Sequence, residues 1–340
     1  MNHAPTNRGT LGAVLLLAAM VAAPYLVSKS YLYSLTDIVI LGLFAISYNL
    51  LFGYSGLLSF GHAAYFGVGA YGCALALQHF DGMPVMGAVA MGTLAAAAAG
   101  LVLGSICVQR GGPYFAMLTM AFGMLIYAVL WKWRSLTMGD DGFGTFVPDD
   151  MGMILVGGEG GIVQTYFGVL MICAPVLALV WLLMTFTPYG NAVRSIRLNE
   201  ERAGFLGYNV FAIKLANYVL STTLAGLAGC LYALFHDFVS PQLAGMEMST
   251  DVVMMTFIGG TSAFFGPLIG SAFYVLFSDF LSALTERWQM IMGLVFVYVV
   301  MFVPNGFAGM IGQAAHRMSR LLSPSGARRP QAGKEKRSWT

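Results

Sequence analysis

More than half of this chain is divided into apolar stretches close to the length of a bilayer crossing, and this constrains the fold more than any other feature. A helix needs roughly 20 residues to span the hydrocarbon core. The stretches at about 11–28, 32–52, 57–78, 85–107, 113–133, 163–186, 211–234, 266–283 and 288–304 approach that length, and a further run, 252–263, is shorter. A β-barrel would show short alternating segments instead. Charged residues make up only 9% of the chain, against about 25% in soluble domains. The expectation is an all-α, polytopic membrane helix bundle of about ten transmembrane helices at roughly 20 residues each.

The first run has Arg8 before it and small residues at Ala22 and Ala23, as a signal peptide would. A second apolar run follows almost at once, which favours an uncleaved first helix. Cys73, Cys107, Cys173 and Cys230 are widely spaced within apolar runs, without a CxxC or Cys/His cluster, and read as buried thiols.

Lys and Arg in connecting loops set orientation. The loop 132–162 offsets Lys132 and Arg134 with Asp140, Asp141, Asp149, Asp150 and Glu159; it reads as an external loop, either solvated or facing a binding protein. The loop 187–214 has Arg194, Arg197, Arg202 and Lys214, and the tail after 312 has seven basic residues against Glu335. Both are expected in the cytoplasm, together with the N-terminus. This divides the chain into a cytoplasmic N-terminus (1–10), a transmembrane domain (11–304) and a basic tail (305–340), expected to be disordered near the anionic inner leaflet. Nothing in the loops supports glycosidic, nucleotide or protease chemistry, and no nucleic-acid partner is expected.

Small residues recur at four-residue spacing at Gly92, Ala96, Gly100 and Gly104, a ladder that lets helix backbones approach closely. Two segments go beyond packing. GYSGLLSFGHAAYFGVGAYG (53–72) and IGGTSAFFGPLIGSAFY (258–274) combine clustered glycines, small hydroxyls and aromatics. Glycine-interrupted apolar segments in corresponding halves point to a transport pathway, and they equally suit tight packing. Gly53, Tyr54, Gly56, Ser59, Gly61, His62, Gly259, Gly260 and Gly266 are the candidate pathway or gating residues. His62 reads as a neutral, hydrogen-bonded structural or gating residue; metal binding, proton relay and substrate contact are its alternatives, and no metal ligand set accompanies it. Asp279 is expected near a helix end or paired, or lining the pathway, and Asp37 at the interface.

The stretch GNAVRSIRLNEERAGFLGYNVFAIK (190–214) is too charged to cross. Val193, Ile196, Ala203 and Leu206 fall near helical spacing, which predicts a short amphipathic helix ended by Gly207. It could lie on lipid or dock on a partner. Glu201, Ala203 and Gly207 resemble the Glu-Ala-Ala, three residues, Gly core of the coupling loop in ABC importer permeases, with Arg202 in place of the second Ala. Around it, AVRSIRLNEERAGFLGYNVFAIKLANYVLSTTLAGLAGCLYAL (192–234) resembles the branched-chain amino-acid ABC transporter permease family, as do 48–72, GPYFAMLTMAFG (112–123) and 257–273, all in family order.

The resemblance implies an inner-membrane permease subunit pairing with a sister permease, two cytoplasmic ABC ATPases and a periplasmic substrate-binding protein. It assigns ATPase coupling to the loop 187–212, with Arg197, Glu200, Glu201, Ala203 and Gly207 as coupling residues. The segment Thr137 to Gly142 departs from the Thr-Gly-Gly pattern of many members, which leaves urea or short amides beside branched-chain amino acids as substrates. A P-loop is not found: the only Gly-Lys pair, Gly333-Lys334, is followed by Glu335. The chain is thus expected to be no enzyme and to bind no cofactor, with ATP and Mg on partner subunits. An ion-coupled secondary carrier using His62 and Asp279 is the competing reading.

Overall fold

The computed structural model describes residues 24, 29–80, 82–145, 161–303 and 306–310. Most of the first expected span, the acidic stretch 146–160 and the basic tail from 311 onward lie outside the described residues. The described residues are helical almost throughout. α1 (Lys29–Asn49) runs on into a π-helical turn, Leu50–Tyr54. Then come α2 (Ala63–His79), α3 (Val85–Cys107), α4 (Pro113–Lys132) and the single turn α5 (Arg134–Thr137). α6 (Gly161–Phe186) leads into two short helices, α7 (Pro188–Leu198) and α8 (Glu200–Phe205). α9 (Val210–His236), α10 (Met246–Gly259), α11 (Gly266–Leu284) and α12 (Trp288–Phe302) complete the order.

Six helices among the described residues are long and apolar enough to cross a membrane: Tyr31–Tyr54, α3, α4, α6, α9 and α11. α10 has 14 residues. At 1.5 Å per residue it is about 21 Å long, short of the roughly 30 Å hydrocarbon core. It turns back into α11 at Gly260, whose φ of 100° needs a glycine. The expected run 57–78 is helical only from Ala63 onward: residues 56–62 are irregular, with Gly56 at φ 72°.

The four-residue ladder of α3 is a zipper. A Cβ added at Gly92, Gly100 or Gly104 would lie 2.6, 1.9 or 2.6 Å from Cys230, Thr222 or Tyr218, and one added at Gly226 would lie 2.2 Å from Ala96. As the α3 number rises by four, its α9 partner falls by four, so the helices run antiparallel. α2 closes against the same helix: a Cβ on Gly69 would sit 2.1 Å from the Gly226 carbonyl oxygen, and one on Gly229 2.0 Å from that of Phe66. In lipid such close backbones supply the van der Waals contact that drives association. α1 is the most enclosed of the six long helices and α4 the least. A two-residue antiparallel pairing of β1 (Phe143–Gly144) with β2 (Phe238–Val239) ties the segment after α4 to the end of α9.

Candidate functional site

The break between α1 and α2 organises the polar interior. Where the α-helical ladder changes to π spacing, carbonyls lose their usual donors, and π turns of this kind mark functional sites. α9 supplies the replacements. Asn217 Nδ2 donates to the Leu50 carbonyl at 2.6 Å and to Ser55 Oγ at 2.7 Å, and Ser221 Oγ donates to the Ser47 carbonyl at 2.5 Å. Each of these three side chains is buried. Asn217 and Ser221 were passed over in the sequence reading; polar residues facing inward from an apolar span are the signal that could have found them.

His62 lies just past the break, fully buried. Its ring is stacked on Phe44 at 5.5 Å and faces the edges of Tyr48 and Tyr65 at 5.5 and 6.4 Å. Ser47 Oγ donates to the Phe44 carbonyl at 2.6 Å and lies 2.9 Å from His62 Nε2. The serine has one proton, so Nε2–H is the donor to Ser47 and Nδ1 presents a lone pair. That Nδ1, with Tyr48 Oη and Ser59 Oγ, is buried without a partner among the described residues.

The candidate pathway residues fall in separate places. Gly53 and Tyr54 meet the second glycine-rich segment: a Cβ on Gly53 would lie 3.0 Å from the Thr261 carbonyl oxygen, and the Tyr54 ring stands 6.5 Å from Phe264. Gly259, Gly260 and Gly266 form the tight turn of that segment, where a Cβ on Gly266 would lie 2.1 Å from the Gly260 carbonyl oxygen. Gly61 instead packs on α4, with Gly123 and the Thr119 carbonyl. Ser59 and His62 are buried. Asp279 is exposed near the end of α11 and accepts from Ser34 Oγ at 2.7 Å, while Asp37 Oδ1 pairs with His236 at 2.9 Å.

The loop 187–212 departs from the expected single helix. Asn199 takes up extended backbone (φ −163°, ψ 110°) and breaks it in two, and its Oδ1 caps α8 by accepting from the Arg202 N–H at 2.8 Å. An asparagine gains more as an N-cap than inside a helix. Gly207 ends α8 at φ 89°, as its type predicts. Val193, Ile196 and Ala203 are buried, as the stripe requires, but Leu206 is 72% exposed because the break rotates α8 away from the register of α7.

Of the expected coupling residues, Arg197 and Glu200 hold the loop to the bundle. Arg197 Nη1 donates to the Gly53 carbonyl and its stem packs on Gly56; Glu200 pairs with buried Lys214. One turn before Arg197, the Arg194 guanidinium lies 5.1 Å above the Tyr54 ring and donates to the Met184 carbonyl at 3.3 Å. Two arginines on one face of α7 therefore grip the π turn, and Arg194 joins Arg197 there although the sequence pointed to it only as a basic loop residue. Glu201 and Gly207 are exposed, while Ala203 is a packing residue. Nearby Tyr189 is half-buried; its hydroxyl has no partner among the described residues, and burial pushes the phenol up to about 12.

A family model described as branched-chain amino acid transport system permease component matches residues 30–303. The high-affinity branched-chain amino acid transport system permease protein LivM of Escherichia coli K12 is 27% identical over 324 residues, covering 90% of this chain and 76% of LivM. LivH of the same organism, with the same description, is 26% identical over 310 residues, 83% of this chain and 97% of LivH. BraD of Pseudomonas aeruginosa, also so described, is 23% identical over 286 residues, 78% of this chain and 91% of BraD. No solved structure matches the chain.

Proposed function

Because the chain belongs to the branched-chain amino acid transport system permease family, we propose that it is the membrane subunit of an ATP-driven importer that carries branched-chain amino acids inward from a periplasmic binding protein. A sister permease and two cytoplasmic ABC ATPases complete the assembly in the bacterial inner membrane, with both termini of this chain in the cytoplasm. ATP and Mg sit on the ATPase subunits. The names of LivM, LivH and BraD support the substrate class.

One observation carries the coupling role. Leu198, Phe205 and Leu206 are 86%, 91% and 72% exposed on a loop that is otherwise charged and hydrogen-bonded. Large apolar side chains held in water on a capped helical pair mark a partner contact. The ATPase docks on this surface, and its movement reaches the break between α1 and α2 through Arg194 and Arg197. Glu201 and Gly207 lie on the same exposed loop and belong to the docking surface, whereas Ala203 and the Glu200–Lys214 pair keep the loop on the bundle.

The test is Phe205→Asp with Leu198→Asp in the complete transporter. The doubly substituted chain should insert normally, yet lose copurification with the ATPase subunits and lose ATP-dependent leucine uptake. Full complex recovery with normal uptake would place the docking surface elsewhere. Uptake that survives ATP removal but collapses with the proton gradient would favour an ion-coupled carrier.

A further inference from the structure

The irregular segment that precedes α2 borders a cavity of about 470 Å³, with Leu57, Leu58 and Phe60 on one wall and Ala116, Met117 and Met120 of α4 on the other. A second, narrower pocket shares Phe60 and Met120 with it and is also lined by Gly61 and by Ser249 of α10. Binding sites for small molecules fall at roughly 300–1,000 Å³ and combine apolar walls with a few polar groups. The walls here are apolar. The polar groups are main-chain: the N–H groups of Leu58, Phe60, Gly61 and His62 find no main-chain acceptor among the described residues, while that of Ser59 faces the Tyr48 hydroxyl. That of Ala63 is met by Ser249 Oγ at 3.1 Å.

Unpaired backbone between membrane helices persists only where it lines a wet cavity or meets a ligand. Consecutive free N–H groups form a concavity for anions. Two of the donors belong to residues that line the cavity, Leu58 and Phe60, and Gly61 lines the narrower pocket beside it. An occupant that satisfies both halves has a carboxylate beside an uncharged, branched apolar side chain.

We infer that this cavity is a substrate-binding station within the permease, in which Leu57, Phe60, Ala116, Met117 and Met120 receive the side chain and the 58–62 backbone receives the carboxylate. The inference rests on the proposed amino-acid import. Methionines suit the role because their flexible thioether side chains adapt to leucine, isoleucine and valine alike. The permease therefore contributes size selection of its own, beyond that of the binding protein.

The experiment uses the complete reconstituted transporter. Ala116→Phe fills the cavity and should lower leucine uptake at least tenfold with ATPase assembly unchanged. Met120→Ala enlarges it and should raise the phenylalanine-to-leucine uptake ratio several-fold, at unchanged affinity of the isolated binding protein for either. Unchanged uptake and ratio in both variants overturn the inference. If Ala116→Phe does not assemble, Met120→Cys decides: leucine should slow its maleimide labelling several-fold and leucinol, which lacks the carboxylate, should not. Absence of protection by leucine overturns the station, and equal protection by leucinol overturns the carboxylate contact. A wild-type transporter that moves no leucine defeats the proposed function instead, so the two failures are distinct.

Discussion

Replacing Arg197 with Ala removes the contact between the loop and the break while leaving the bundle intact, since the residue is exposed and its side chain reaches outward from α7 to the Gly53 carbonyl. A hydrogen bond to a charged group contributes about 1.5–3 kcal/mol. Partial exposure sets the lower figure, and about 1.5 kcal/mol corresponds to roughly tenfold in an equilibrium. The Arg194 cation over Tyr54 remains and supplies about 0.5–1 kcal/mol of its own, as such contacts do at exposed sites, so α7 stays docked but pulls less firmly on the π turn. Leucine uptake and phosphate release are measured on the same proteoliposomes. Arg197→Ala should cut leucine moved per ATP hydrolysed about tenfold, the ratio set by the lost bond, with ATP hydrolysis within twofold of wild type. Arg197→Lys, which keeps the charge and a single donor, should recover most of the loss. A transport ratio within twofold of wild type in Arg197→Ala would refute the mechanical role of the contact. A parallel fall of uptake and hydrolysis would refute it as well, since that assigns Arg197 to assembly.

Three further outcomes follow from packing. Gly229→Ala places a methyl 2.0 Å from the Phe66 carbonyl oxygen, so α2 and α9 must separate. Overpacking of this kind costs about 1–3 kcal/mol, and thermal unfolding in detergent should shift downward. Gly204→Ala, with nothing within 4 Å of the added methyl, should leave stability unchanged or raise it by about 0.5–1 kcal/mol, the helix preference of Ala over Gly. Cys73, Cys107, Cys173 and Cys230 are all buried and free. They should label with maleimide only after denaturation, and rapid labelling of the folded protein would contradict the packing around α3 and α9.

The fold class and most helix limits were legible in the sequence because the hydrocarbon core imposes one demand on about 20 consecutive residues at a time. The stretch 85–107 became α3 with the same ends, and its Gly92–Gly104 ladder became the zipper with α9. Gly207 ended α8 because a φ of 89° suits only a residue without a Cβ. The loop 187–212 was legible through its charge and its family pattern. The break before α2 was visible only as a cluster of glycines; its position at 56–62 depends on Arg197 and Asn217, which come from 144 and 167 residues further along the chain.

The sequence by itself determined that the chain crosses a membrane as helices, where the small residues allow close approach, and which loop is polar enough to meet a partner. The tertiary structure decided that the loop 187–212 bends at Asn199, that Leu206 faces outward, and that Arg194 and Arg197 hold the π turn. It also decided that unpaired N–H groups and α4 methionines share one cavity. The reason is physical: solubility in lipid is a local property of each segment, whereas hydrogen-bond partners between helices are fixed by the rotation and register at which they pack.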